Sequence, residues 1–417
     1  MNYILIGAGS RGTTYAQQAR NLGVEIAAIA ELRPDRLKSA ADLFQVPEDM
    51  RFADASQLLD KGKIADAAII ATMDRDHFAH VMQALDCGYD ILLEKPISPD
   101  PKECIAIEER ANALGRKITV CHVLRYAPFF MTLKQILDSG ELGQVVAIKH
   151  SENIGNFHMA HSFVRGNWRN DLLSSPIILQ KSCHDLDILL WLTGAHCTRV
   201  AAFGSLHYFR PENAPKDAAE RCLSCPAAKD CRFDAWRAYQ PMLGQWPADV
   251  VCLEQTEDAL KEALETGPYG RCVYRCDNNV CDHMSILMEF DTGATATFSL
   301  TAQTSDIHRN IHIMCENGEI EADDLNGTIT VTHFRRNQAE EAVRRSVTLG
   351  SRFDSGHGGG DEGIMEDFTA GLSGTTTESR SSISRSVESH LMACAIEESR
   401  LSGRIIDMAQ YRASLKS

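Results

Sequence analysis

Residues 3–12 read Tyr3-Ile4-Leu5-Ile6-Gly7-Ala8-Gly9-Ser10-Arg11-Gly12, an apolar strand-like run that passes directly into G-x-G-x-x-G. Residues 11–22 then have a helical pattern. In a strand–turn–helix, Gly7 permits the tight turn and Gly9 lets the backbone approach a pyrophosphate. Gly12 allows the helix to pack closely on the strand, while Ser10 and Arg11 open the helix, whose amide donors face the phosphates. Glu31 closes the next apolar run about 20 residues on, where a carboxylate can accept bonds from ribose hydroxyls. It would repel a 2′-phosphate, so NAD is expected ahead of NADP, with the nearby Arg33 able to offset that repulsion.

Outward from this motif the pattern repeats. Strands are expected at 3–6, 24–30, 67–71, 91–93 and 118–121, separated by helices at 11–22, 33–44, 77–87 and 101–114. This alternation implies right-handed crossovers and a Rossmann doubly wound parallel sheet over residues 1–121. Residues 122–417 have another rhythm. A helix at 128–138 leads to a strand at 145–149, and a short helix is expected at 184–192. Strands at 285–290 and 294–300 flank the turn signal Asp291-Thr292-Gly293. The expectation is a C-terminal α+β domain with an open, mainly antiparallel sheet, a Ser/Thr-rich loop at 371–385 and a closing helix at 384–400.

The 417 residues carry a formal net charge of −15, which argues against nucleic-acid or anionic-membrane binding. No apolar run is long enough to span a membrane, and no signal peptide is visible, so a cytoplasmic location is expected. Of 14 cysteines, a group falls in an insert at about 210–282. Cys222-x2-Cys225-x5-Cys231, with Cys272, suits a tetrahedral thiolate site, and structural zinc is expected there, free buried thiols or redox-active pairs being the other readings.

Glu94-Lys95-Pro96 follows the strand 91–93, and Thr72-x-Asp74-x-x-His77 follows the strand before it. With the glycine motif and Cys183-His184-Asp185-Leu186-Asp187, this resembles the glucose–fructose oxidoreductase/inositol dehydrogenase (Gfo/Idh/MocA) family. The resemblance implies an NAD-dependent oxidoreductase that transfers hydride from a hydroxyl of a sugar, polyol or glycoside. It also implies a homodimer or homotetramer built through the outer face of the second sheet. Lys95, after which a cis proline is implied, would touch both nicotinamide and the reacting hydroxyl. His184 would take the hydroxyl proton, with Asp187 orienting it; considered alone, His184 equally suits a packed core histidine. Where the family's dehydrogenases usually carry an aspartate, this chain has Gln180, followed by Lys181. Gln cannot exchange protons. Lys181 is therefore a further catalytic candidate, and a redox-neutral, NAD-dependent glycoside hydrolase working by transient oxidation and elimination is the alternative.

Several other residues are candidates for the cleft. His158, His161, Arg165, Trp168 and Arg169 crowd one stretch rich in donors, with Trp168 and Arg169 resembling a pair that reaches the cofactor. His122, Arg125 and Tyr126 follow the last Rossmann strand. His357-Gly358-Gly359-Gly360-Asp361 is expected to form a second cleft loop, although Asp361 equally suits a helix N-cap.

Overall fold

A computed structural model describes residues 1–349, 356–375 and 378–416. The first sheet contains β1 (Asn2–Ile6), β2 (Glu25–Ala30), β3 (Arg51–Phe52), β4 (Ala67–Ile70), β5 (Asp90–Leu93) and β6 (Ile118–Val120). Their order is β3-β2-β1-β4-β5-β6, and all five pairings are parallel. Strands buried on both faces need no alternation, which is why Ile4, Leu5 and Ile6 form a continuous apolar run with no exposure. The order reverses between β1 and β4, so their carboxyl ends open the crevice in which such sheets bind nucleotides. β3 is only two residues long and its pattern is too short to have been expected.

The second sheet contains β7 (Val145–Asn153), β8 (Cys197–Ser205), β9 (His283–Phe290), β10 (Thr295–Thr301), β11 (His308–Cys315), β12 (Gly318–Asp323), β13 (Thr328–His333), β14 (Arg344–Thr348) and β15 (Ile406–Asp407). It runs β14-β13-β12-β11-β7-β10-β9-β8-β15, with β10–β7 the parallel pair and the other pairings antiparallel. The expected hairpin forms as β9–β10, with Gly293 at φ +86° in the turn. One face packs on helices. The other carries exposed Phe203 (76%) and Leu287 (57%) beside a trough of about 890 Å³, the face the resemblance assigns to assembly.

The chain does not end on the long helix Ile383–Ser402; β15 and the helix Met408–Ser414 follow it. Nor is 371–385 a simple loop, because the helix Gly360–Leu372 runs into its start; its residues 376–377 lie outside the described ones. That helix returns to the first sheet, where Ile364, Met365 and Phe368 pack with Tyr3, Leu5 and Leu92. Val120 also donates its N–H to Ser381 O. The C-terminal segment thereby fixes the cleft loop 357–360 against the Rossmann unit. Among the described residues, no helix is long and apolar enough to cross a membrane.

Candidate active site

The glycine turn has the geometry a dinucleotide needs. A Cβ on Gly7 would lie 2.5 Å from Ala71 O, and one on Gly12 only 1.9 Å from Gly7 O, so neither position admits a side chain. At Gly9, by contrast, the nearest atom to such a Cβ is Arg36 Nη1 at 3.7 Å, which leaves room for close approach of a ligand at the N-terminus of the helix Ser10–Asn21. Glu31 lies against this turn: its Oε2 accepts from Ala8 N at 2.7 Å and its Oε1 from Arg33 N at 3.0 Å. The Arg33 guanidinium is turned to Asp35 at 2.5 Å. These residues fit NAD, with Gly7, Gly9, Gly12 and the amides of the helix start available to its pyrophosphate.

Lys95 stands at the carboxyl end of β5, and the Lys95–Pro96 bond is cis. The turn is held from three sides. Glu94 accepts from the Lys95 amide at 2.5 Å and from Arg11 Nε and Tyr15 OH at 3.0 Å each. His77 Nδ1 donates to Pro96 O at 2.7 Å. His390 Nδ1 donates to Ser386 O at 2.9 Å, so its Nε2 is free to accept from Ile97 N, also at 2.9 Å. Burial holds His390 neutral, pushing it down to about 3. From this frame Lys95 Nζ reaches across the cleft to Gln180 O at 2.8 Å.

Gln180 is a fastener. Its Nε2 donates to Trp168 O at 3.0 Å and to Ser175 O at 2.8 Å. A carboxylate there would face two carbonyls, which accounts for an amide at this position. Next to it, Lys181 Nζ lies 3.2 Å from Glu152 Oε1. His184 sits on the first turn of the helix Cys183–Thr193 and is buried, and burial, then the Lys95 charge, holds it well below the usual imidazole range. Its ring is 5.7 Å from that of His122 and 6.1 Å from that of His357. Among the described residues, buried side-chain atoms without a hydrogen-bond partner on this segment and its neighbours include His184 Nδ1, both ring nitrogens of His122, Gln180 Oε1 and Ser182 Oγ. Orphaned polar atoms are costly in a core and are expected where a polar ligand completes them.

Behind Lys181 lies an ionic network that the sequence reading missed. Glu152, on β7, pairs with Arg309; Arg309 Nε is 2.8 Å from Asp185 Oδ1, and His150 Nε2 is 2.7 Å from the same oxygen. His150 and Glu152 are two apart on a strand and share its inward face, but both lie beyond residue 149, where the strand is expected to end from sequence. Burial lifts the Glu152 carboxyl from 4.5 to about 7, Arg309 opposing and Asp185 adding to the rise. Asp185 moves the other way, Arg309 and His150 outweighing its burial. In the unfolded chain Glu152 ionises near 4.5, whereas the folded protein retains its proton up to about 7. Folding stability from this group is therefore complete at low pH and falls as pH rises through that window, by about 3 kcal/mol at most. Glu152→Gln is expected to remove this slope from urea midpoints measured between about pH 5 and 8; an unchanged slope contradicts the assignment.

Other expected site residues have different occupations. Arg125 makes a buried bidentate pair with Asp187 (2.6 and 2.8 Å), so Asp187 does not orient His184 and Arg125 is not free for substrate. The Tyr126 hydroxyl bonds Asp367, Ser379 and Ser381. Asp74 accepts from Ser175 Oγ at 2.6 Å, and Thr72 Oγ1 is bonded to His80. His161 and Arg165 lie under the cysteine-rich insert: His161 bonds Tyr239 OH and stacks on Tyr269, while Arg165 donates to Phe233 O and Arg271 O. Arg169 pairs with Asp277. The dense donor stretch therefore mainly anchors the insert, His158 included, whose ring lies 5.4 Å from that of Trp246.

The zinc expectation also changes. Cys222, Cys225, Cys231 and Cys272 do line one small space of about 10 Å³, together with Arg165. Among the described residues, however, no group of three or more His, Cys, Asp or Glu is placed to hold a metal ion. Burial pushes the Cys222 and Cys272 thiols up, and all 14 cysteines are free. Arg165 and the aromatic residues supply the packing assigned to a metal in the sequence reading.

The sheet, the glycine turn and the framed lysine define a Rossmann-type oxidoreductase. Residues 1–122 match the model described as "Oxidoreductase family, NAD-binding Rossmann fold", and residues 130–321 match "GFO/IDH/MocA C-terminal domain". The chain belongs to the Gfo/Idh/MocA family of NAD-binding oxidoreductases. It is 23% identical over 365 residues to YteT of Bacillus subtilis (strain 168), covering 83% of this chain and 82% of that protein. It is 26% identical over 199 residues to inositol 2-dehydrogenase of Corynebacterium glutamicum (strain R), covering 47% of this chain and 55% of that enzyme. Among solved structures, levoglucosan dehydrogenase with NADH and levoglucosan superposes with a TM-score of 0.72 at 17% identity, over 98% of this chain and 99% of that one. Scyllo-inositol dehydrogenase from Lactobacillus casei gives 0.67 at 17% identity, again over 98% and 99%. At such identities the structural likeness establishes the fold.

Proposed function

We propose that the chain is an NAD-dependent dehydrogenase that oxidises a secondary hydroxyl of a sugar or polyol. The observation that carries this reading is Lys95 Nζ held 2.8 Å from Gln180 O with its charge acting on the buried His184, while His184 Nδ1 and both His122 ring nitrogens lack hydrogen-bond partners among the described residues. When bound, NAD supplies the two-electron acceptor. Lys95, as a cation in a site largely closed to water, stabilises the oxygen that becomes a carbonyl. His184, kept neutral by burial, donates a ring N–H to the same oxygen. The relatives acting on inositols and levoglucosan support a hydroxylated ring as the substrate class. Glu31 beside the glycine turn supports NAD ahead of NADP.

The test incubates the protein with NAD or NADP in deuterated water and a panel of inositols, anhydrosugars, free sugars and glycosides. Products are followed by absorbance, mass spectrometry and NMR. NADH with a keto-sugar product is the expected result; tighter NADP binding overturns the cofactor assignment. Because the Gln180 amide is neither an acid nor a base near neutral pH, the panel also reads the redox-neutral alternative, which would give a cleaved glycoside carrying ring deuterium without NADH.

A further inference from the structure

His357 has a backbone conformation that side chains rarely adopt, φ +49° and ψ +39°, and Gly358 and Gly359 continue it at φ +64° and +90°. Non-glycine residues in this region cost energy and persist where surrounding structure enforces them, often at functional sites. Enforcement is visible. A Cβ on Gly360 would lie 2.2 Å from Val123 O and one on Gly363 3.0 Å from Tyr126 Cβ, so the start of the helix Gly360–Leu372 is pressed against the segment Val123–Tyr126. The loop is thus a rigid support that aims one side chain. His357 Nδ1 lies 3.2 Å from both Asp361 oxygens, and a carboxylate can only accept, which leaves Nε2 as the nitrogen able to exchange a proton. Asp361 is itself gripped by Arg11, at 2.6 and 3.0 Å, from within the glycine motif.

We propose that His357, positioned by Asp361, is the acid–base residue that passes the substrate's hydroxyl proton to solvent. This rests on the dehydrogenase reading above. The buried His184 can hold the hydroxyl, but a proton left on it would be trapped beside Lys95. His357 lies 6.1 Å away, ring to ring, with a side chain 39% exposed and a carboxylate behind it to stabilise the imidazolium. In the balanced step the secondary alcohol loses its hydroxyl proton to His357 Nε2 and the electron pair of its carbinol C–H bond to oxidised NAD. A ketone forms, and His357 then releases the proton to water. Burial is the largest influence on His357 and holds it below the usual imidazole range; of the charged and titratable groups facing it, Asp361 favours the imidazolium, while Arg11 and Lys181 oppose it and His184 lies beyond. This arrangement also fits Gln180, where the family's dehydrogenases usually carry an aspartate: the proton acceptor comes from the glycine loop instead.

The test has two arms on the full-length protein. In histidine-¹⁵N NMR, His357 is expected as the Nδ1-protonated tautomer, and Asp361→Asn is expected to shift it towards the other. An Nε2-protonated ring in the unaltered protein overturns the dyad regardless of activity. In kinetics with whichever panel compound yields NADH, His357→Gln is expected to lower kcat by about 100-fold and abolish the acid limb of its pH profile, with NAD affinity within about 2-fold. An active protein whose His357→Gln variant keeps kcat and pH profile removes only this inference. No NADH from any compound removes the dehydrogenase reading and this proposal with it.

Discussion

Lys95→Met is expected to lower kcat by about 10³-fold while leaving NAD affinity within about 3-fold, since it removes a charge from the reacting oxygen and nothing from the glycine turn. The ammonium lies 2.8 Å from Gln180 O, so its position is set from both sides of the cleft. Glu94 fixes the backbone before it, and His77 and His390 fix the backbone after it. A side chain held this way loses little entropy when substrate arrives, and its charge needs no reorganisation as the carbonyl develops. Methionine keeps much of the stem's bulk, which separates the charge from packing. Lys95→Arg is expected to fail as a rescue, because a planar guanidinium cannot occupy a site built for a compact ammonium. Steady-state kinetics on an active panel compound, paired with calorimetric NAD titration, would check both. A loss of kcat below about tenfold with NAD affinity intact would move the principal electrostatic role away from Lys95.

This result would also show why the site was partly legible in sequence. The glycine turn and Glu31 could be read because each is a local solution: a strand end, a tight turn and a helix start lie close in sequence, and their chemistry follows from that geometry, whereas the role of Lys95 came from the resemblance of Glu94-Lys95-Pro96. His184 likewise came from the resemblance, and Lys181 from the departure at Gln180. The rest depended on which distant residues meet. Arg125 and Asp187 are 62 positions apart and neutralise one another, which spacing cannot disclose. His161 and Arg165 belong to a π-helix, Met159–Arg165, whose inward side is covered by an insert contributing Tyr239, Tyr269 and the Phe233 carbonyl. A polar stretch beside an expected cleft reads as ligand-binding until the covering segment is seen. Glu152 and His150 were visible as inward polar positions only once β7 was known to continue to Asn153, beyond the end expected at 149. The cysteine spacing was suggestive, but the thiols' surroundings, Arg165 above all, decide what they do.

The Arg125–Asp187 pair should dominate the stability of the region below the site. Arg125 is 4% and Asp187 1% exposed, and the pair joins the segment after β6 to the helix that carries His184. Arg125 Nη1 also donates to Arg380 O at 2.9 Å, tying in the C-terminal segment. Burial raises the Asp187 carboxyl despite Arg125 beside it, which marks how completely water is excluded. Removing one partner leaves the other charge buried without compensation, a change worth about 3–5 kcal/mol, whereas replacing both with apolar groups of similar volume is often close to neutral. Asp187→Ala is therefore expected to lose about 3–5 kcal/mol in urea unfolding, and Asp187→Leu with Arg125→Met to recover most of it. The double variant would still lack the anion 3.8 Å from His122 Nε2. If its stability returns but kcat does not, the pair also sets the electrostatics of the histidine cluster. A loss in Asp187→Ala below about 1 kcal/mol would mean that water reaches Arg125 once the carboxylate is gone, and that the floor of the cleft is less dry than its packing implies.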